Sequence, residues 1–229
     1  MKSQFKKCSK ISDRKITELM KLFSLDLPAN KISEISWVSC NTAEKRCNYF
    51  REVIYYYQER ERKEILSWSM ELDESYFWAS RVRWKRGRWA SWKIKVFWLL
   101  KRDGKVYTEV VDDVSAKTLL WIIRNKITIE SVIHTDWWKS YDWLVDLWYE
   151  KHYRVKHSDN EFARWNQHIN WIESFWSYCK RRLSKFNGIS KHKFELYLKE
   201  SEFRFNCWLQ KLDVYKKLRK LVKNYILLG

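Results

Sequence analysis

The sequence predicts an α/β domain, a mixed sheet flanked by helices, preceded by a small all-helical domain. Three observations carry this. From about residue 69 three runs rich in Val, Ile, Tyr and Phe follow one another (MELDESYF, KIKVFWLLKR and KVYTEVVDD), each of strand length and bounded by polar residues. Beyond them short apolar runs alternate with segments of helical period, so that residues 69 to 185 read βββαβαβα. Before them, the first 66 residues carry helical periodicity and the chain's single proline, with no strand-like run.

Taken in order, Ile16, Leu19, Met20, Leu22 and Phe23 mark the apolar face of a first helix. Asp26-Leu27-Pro28 then reads as a turn into a second, because proline is tolerated in a first helical turn. Ile32 and Ile35 give that helix a short apolar face, and Trp37 to Cys40 reads as a tight turn. Asn41 or Thr42 is the expected N-cap of a longer helix from Ala43, with Lys45, Arg46, Asn48 and Arg51 on its polar side. A short helix, a turn and a basic second helix make the helix-turn-helix pattern, whose second helix enters the major groove of DNA. Lys45, Arg46 and Arg51 are then the expected DNA contacts. The alternative is an ordinary helical hairpin.

In the second domain Arg102-Asp103-Gly104-Lys105 is a hairpin signal between the second and third strands. SAKTLLWIIRNKI is a helix with Ser115 as N-cap and Leu119, Leu120, Ile122 and Ile123 toward the core. SVIHTD is a short buried strand, KSYDWLVDLWYE a helix and HYRVKH another strand. A helix from His168 to Lys185 follows, then one from about His192 to Cys207, and the lysine-rich end from Lys211 to Gly229 reads as one more. The expected organisation is a helical domain over 1–66, an α/β domain over 67–208 and a basic C-terminal helix or tail over 209–229.

Composition narrows the function classes. A formal charge of +18 spread along the whole length implies a polyanionic partner, DNA or RNA. The basic loop from Arg81 to Lys95, with Arg86 and Arg88, reads as a backbone-contact segment or a solvated loop. No run approaches the roughly 18 apolar residues of a membrane span, and the basic start MKSQFKKCSK lacks the apolar stretch of a signal peptide. Five scattered cysteines with no C-x-x-C pair argue against a zinc ribbon or a disulfide framework. A cytoplasmic, nucleoid-associated protein fits these features.

The chain has 16 Trp and only 4 Gly, whereas a chain of this length ordinarily has about 16 glycines. Several tryptophans stand where turn chemistry is wanted, as in RVRWKRGRWASWK and DWWKSYDW. A turn needing positive φ favours glycine, and an indole has no such preference. This is the pattern left when UGA codons that the source reads as glycine are translated as tryptophan. The alternative is a chain naturally rich in tryptophan.

The residues that carry chemistry converge on the helix from His168. Asn170, Glu173, Ser177 and Lys180 fall at i, i+3, i+7 and i+10 and share one face. Asp73 and Asp136 each follow an apolar run that reads as a strand. Two carboxylates at strand ends and one on a helix can hold divalent metal ions for phosphodiester chemistry.

Asp73 in DESYF, Asp136 in HTDWWKSYD and the stretch HINWIESFWSYCKRRLSKFNGIS closely resemble bacterial insertion-sequence transposases of the DDE superfamily, of the group related to the Merlin elements. GKVYTEVVDDVSAKTLL and KHKFELYLKESEFRFN are similar to the same family's middle and C-terminal segments, so the resemblance covers about residues 68 to 207. It implies an RNase H-like fold with Asp73, Asp136 and Glu173 as metal ligands. Between the second and third acids lie 36 residues, within that family's range. It also implies Mg²⁺ or Mn²⁺ as cofactor, double-stranded DNA (terminal inverted repeats and target) as partner, and a homodimer or higher oligomer. Some members carry Asn as the third ligand, which would be Asn170; Glu173 is preferred because a carboxylate binds a hard cation better than an amide. Lys180 matches a basic residue that follows the catalytic Glu, and Arg181 and Arg182 are expected as further DNA contacts. His157 and Ser158 also match the family, while His134 reads as a core or surface histidine. Two other functions remain open: an RNase H-like structure-specific nuclease, and a DNA-binding protein that has lost catalysis.

Overall fold

The structure, a computed structural model, describes residues 11–61, 69–78, 93–101, 105–128, 131–136, 151–155, 169–186 and 189–228. The chain divides into two compact units, one of residues 1–60 and 199–229, the other of residues 61–198.

The first unit is helical. α1 (Asp13–Ser24) begins at Ser12, whose hydroxyl accepts from the Lys15 amide, and buries Ile16, Leu19, Met20 and Phe23 as its periodicity predicts. α2 (Ala29–Ser36) follows Pro28 and buries Ile32, whereas Ile35 is exposed. It ends at Trp37 in the left-handed conformation, φ 55° and ψ 37°. α3 (Cys40–Glu61) starts earlier than its sequence suggests. Ser39, not Asn41 or Thr42, is the N-cap, accepting from the Thr42 amide at 3.2 Å. The other helices of this unit are the second half of α6 (Lys191–Leu209) and α7 (Val214–Leu228).

Of residues 209–229, expected as a basic C-terminal helix or tail, 214–228 form α7. Leu218, Leu221 and Val222 of α7 join Phe203 and Cys207 of α6 in one core with Ile16, Phe23, Ile32, Phe50 and Ile54. Each fully buried aliphatic side chain contributes about 1.5–3 kcal/mol, which holds α7 in the fold despite its lysines. The expected boundary at 208 falls instead within α6, near residue 199.

The second unit is a five-stranded mixed sheet, β1 (Ser69–Trp78), β2 (Lys93–Lys101), β3 (Lys105–Val111), β4 (Val132–Asp136) and β5 (Lys151–Val155), in the order β3-β2-β1-β4-β5. β2 runs antiparallel to β1 and β3; β1, β4 and β5 run parallel. With α4 (Ala116–Lys126) between β3 and β4 and α5 (Ile169–Ser184) after β5, this is the RNase H-like topology expected from the sequence. Met70, Leu72, Phe97, Leu99, Tyr107 and Ile133 on one face pack with Leu119, Ile122 and Ile123 of α4. On the other, Phe77 and Trp98 meet Phe175 and Trp176 of α5, and Phe77 also meets Phe194 of α6. The helix expected at KSYDWLVDLWYE lies outside the described residues, as does the loop with Arg86 and Arg88.

Candidate active site

The sheet register brings two of the predicted acids together. β1 and β4 pair in parallel up to Leu72↔Thr135, and the next residues along the two strands are Asp73 and Asp136. Neighbouring strands lie about 4.8 Å apart, so two aspartates stand side by side at the same level of the sheet. Asp136 is the last residue of β4 and pairs with Val155 of β5. Its side chain, like those of Asn170, Glu173 and His134, lies outside the described residues, as do His157 and Ser158 entirely.

Asp73 is half-buried and oriented at both oxygens. Its Oδ1 accepts the amide of Glu74 at 2.8 Å, and its Oδ2 accepts the indole N–H of Trp176, also at 2.8 Å. Neither donor carries charge, so neither neutralises the carboxylate. A carboxylate has about four lone-pair sites, more than these two donors occupy. The donor set therefore fits a hard divalent metal, which takes oxygen ligands.

Trp176 also ties α5 to the sheet. It lies on α5 three residues beyond Glu173, one turn along the helix. With a rise of 1.5 Å per residue, Glu173 is about 4.5 Å along the helix axis from the residue bonded to Asp73. The indole thus pins the helix bearing Glu173 to the strand bearing Asp73. Sequence reading gave Trp176 no role in the site. Its i+3 spacing from Glu173 was the available signal, but nothing in the sequence reveals that the indole bonds across 103 residues.

A second carboxylate on the Asp73 face passed unnoticed as well. Glu71, two residues earlier on β1, is 5% exposed and sits at the register level of His134. Asp112 and Asp113 are exposed. Asp113 is held at the start of α4 by the Ser115 side chain, the Thr118 hydroxyl and the Ser115 amide, which lower its carboxyl to about 2.

The expected DNA contacts separate into groups. Lys180 and Arg181 are exposed on α5, Lys45 is exposed on α3 and Arg46 is half-buried beside it. Two others are committed inside the fold. Arg51 is 2% exposed; its guanidinium donates to Glu200 at 2.8 Å and to Asn48 at 3.0 Å and lies over the Phe23 ring. Arg182 is 4% exposed, reaches the Tyr197 carbonyl at 3.5 Å and lies over Phe186. Neither guanidinium is presented to a duplex, and the reason is the same for both. Each falls on the buried side of an otherwise polar helix stretch, where a charge count does not distinguish inside from outside.

The described cysteines, Cys40, Cys47, Cys179 and Cys207, are free thiols. Burial pushes the Cys47 thiol up to about 12, so it is not a nucleophile at neutral pH.

Comparison with known proteins adds to this geometry. The family model described as "ISXO2-like transposase domain" matches residues 65–206. An uncharacterized transposase-like protein of Haemophilus influenzae is 51% identical over 102 residues, which is 44% of this chain and 81% of that protein. An uncharacterized protein in the transposable element ISH50 of Halobacterium salinarum is 28% identical over 121 residues, 52% of this chain but only 41% of that protein. Among solved structures, a pre-cleavage Mos1 transpososome is 15% identical with a TM-score of 0.37, covering 96% of this chain and 81% of that one. The Mos1 mariner paired-end complex with Mn is 14% identical with a TM-score of 0.36, covering 96% and 79%. Likeness of that degree says nothing about function.

Proposed function

Because the chain belongs to the ISXO2-like transposase domain family, we propose that it cuts phosphodiester bonds at the inverted repeats ending an insertion sequence and joins the freed 3′-OH to target DNA. The observation that carries this reading is that Asp73 and Asp136 directly follow the Leu72↔Thr135 pair on adjacent parallel strands, beside a helix that Trp176 bonds to Asp73. Asp73, Asp136 and Glu173 would hold Mg²⁺ or Mn²⁺, with Asn170 as the other candidate for the third position or as a group orienting Glu173. When bound, the metals supply an activated nucleophile and neutralise charge on the scissile phosphate.

The chain's own residues do the rest. The Glu74 amide and the Trp176 indole fix the Asp73 carboxylate before metal arrives, so little ordering is left for the loaded site. Lys180, exposed seven residues beyond Glu173 on α5, is positioned to hold a phosphate near the scissile one, and exposed Arg181 extends that contact. α2 and α3 would dock as a helix-turn-helix, with Lys45 and Arg46 toward the duplex. Arg51 and Arg182 are not part of the DNA surface in this reading, and Arg86 and Arg88 remain proposed backbone contacts. Assembly as a dimer or larger would pair two transposon ends.

A strand-transfer assay with a labelled repeat end tests the reading. Joined product that requires Mg²⁺ or Mn²⁺ and disappears in Asp136→Ala, with DNA binding retained, supports it. Hydrolysis without joining would make the protein a structure-specific nuclease, and binding with no metal-dependent cleavage would make it a catalytically silent DNA-binding protein.

A further inference from the structure

The cations of the helical unit are distributed unequally. On α1 and α2 lysines stand beside acids: Lys15 pairs with Glu18 at 2.8 Å and Lys31 with Glu34 at 2.8 Å. α7 is different. Its sequence, VYKKLRKLVKNYILL, contains no acidic residue. Leu218, Leu221 and Val222 face the core, and Lys217 is drawn inward over the rings of Tyr57 and Phe203. Lys216, Arg219, Lys220 and Lys223 remain, all exposed, at i, i+3, i+4 and i+7, with no ion pair among the described residues. They form one stripe, because positions three and four apart are surface neighbours about 5–6 Å apart. Asp213 accepts the Lys216 amide at 2.7 Å and caps the helix, so the stripe rides on a fixed element anchored by buried side chains.

We infer that this outer face of α7 is a docking surface for the phosphate backbone of double-stranded DNA, gripping the duplex without reading its sequence. Four like charges held within two turns repel one another, and a polyanion is the partner that relieves this. The stripe carries no amide or aromatic side chain suited to base edges except Asn224, so it positions rather than specifies. The inference rests on the reading that the protein acts on DNA.

The test uses the full chain and a duplex of arbitrary sequence, titrated at salt concentrations between about 50 and 200 mM. Replacing Lys216, Arg219, Lys220 and Lys223 together by Gln should flatten the plot of log affinity against log salt by roughly 3–4, since each phosphate contact contributes about 0.9 to the slope. Affinity should fall by the same factor for any sequence, and substituting Arg for the three lysines should preserve the wild-type slope. A Gln variant that is folded by circular dichroism yet keeps the wild-type slope overturns this inference while leaving catalysis untouched. A wild-type protein that binds no DNA, or prefers duplex RNA, overturns the inference together with the reading beneath it. Metal-dependent joining that persists while only the slope is unmoved would sink the inference alone.

A different observation carries a second inference. Trp98, directly across the β1–β2 ladder from Asp73, is 1% exposed, and its ring centroid lies 3.5 Å from that of Trp176 and 3.9 Å from that of Phe175. Tilted aromatic pairs need about 4.5–7 Å. Its indole N–H is also buried with no hydrogen-bond partner, whereas the Trp176 N–H is bonded to Asp73. Trp37 occupies a left-handed helix C-cap, the position glycine favours, with its ring 92% exposed. The geometry points to glycine as the residue for which positions 37 and 98 are shaped, and to tryptophan at 176. The gene should read UGA at 37 and 98 and UGG at 176, and Trp98→Gly should raise Tm, although emptying a buried aromatic site ordinarily lowers it. UGG at position 37 or 98, or a fall in Tm for Trp98→Gly, overturns it.

Discussion

Glu200 in the helical unit and Asp73 in the sheet unit are both carboxylates gripped at both oxygens, yet by opposite means. Arg51 donates to one oxygen of Glu200 and Arg204 to the other, each at 2.8 Å. Arg204 also donates to the carbonyls of Phe23 and Ser24, closing the C-terminal end of α1. Both guanidiniums lie over the Phe23 ring, within 5.6 Å of its centroid for Arg51 and 4.9 Å for Arg204. Glu200 is thus neutralised and sealed in, a tie between α1, α3 and α6. Asp73 accepts from an amide and an indole, neither of which carries charge. The same side-chain chemistry becomes architecture where the donors are cationic and, in the proposed site, a ligand where they are neutral.

The largest effect expected from this contrast is on catalysis. Asp73→Asn should cut metal-dependent cleavage by about a thousandfold or more, the order for losing a group that acts directly on developing charge, with Tm little changed. Glu200→Gln should do the reverse, lowering Tm while leaving the folded fraction as active as before. Thermal melts and single-turnover cleavage on the two variants decide it, and equal activity losses would erase the distinction.

Next in size is the cost of opening the buried network. Arg51→Ala removes one of the guanidiniums that grip Glu200 and should destabilise the protein by about 3–5 kcal/mol, the range for breaking a buried ion pair. Denaturant unfolding measures this. If Arg51 were instead a DNA contact, its removal would weaken binding and leave stability alone.

Trp176→Phe probes the neutral side of the comparison. It keeps the ring packed against Phe77 but removes the N–H bond to Asp73. Losing such an orienting partner typically costs 10–100-fold in metal affinity or activity. Calorimetric titration with Mn²⁺ gives a readout independent of turnover, and unchanged affinity would reduce Trp176 to a packing residue.

What the sequence made legible follows from how each feature is encoded. Period and strand runs located α1, α4 and β1 to β3 because burial acts residue by residue along them. Asp73 and Asp136 were expected at strand ends from their motifs, and they stand just beyond Leu72↔Thr135 in the β1–β4 register. Arg51 and Arg182 misled because a cation is read as surface until its partner is known, and Glu200 lies 149 residues from Arg51. The same distance in sequence hid the role of α7. It was expected as a basic helix or tail, with nothing to show that Leu218, Leu221 and Val222, three and four residues apart, are core. The N-cap at Ser39 was misplaced by two or three residues because Ser, Asn and Thr all cap well and occur close together there.

The smallest expected effect comes from a third carboxylate, Asp113, which combines features of the other two. Like Asp73 it is held by neutral donors, the Ser115 amide at 2.8 Å and the Thr118 hydroxyl at 2.7 Å. Unlike either it is fully exposed. Those hydrogen bonds, the Ser115 side chain first, lower its carboxyl to about 2, against about 3.9 when unfolded. A depressed folded value means that the ionised group favours the native state. Its contribution is complete above about pH 4–5 and is lost as pH falls through about 2. Asp113→Asn should therefore lower Tm slightly at pH 6, with the gap from wild type closing as the pH approaches 2. Water and salt screen an exposed group, so added salt should shrink the Coulombic attraction of Lys95 but leave the hydrogen-bonded part. A gap that stays constant from pH 6 to pH 2 would mean that the ionised form is not what starts α4, and that neutral donors orient a carboxylate here without favouring its charge.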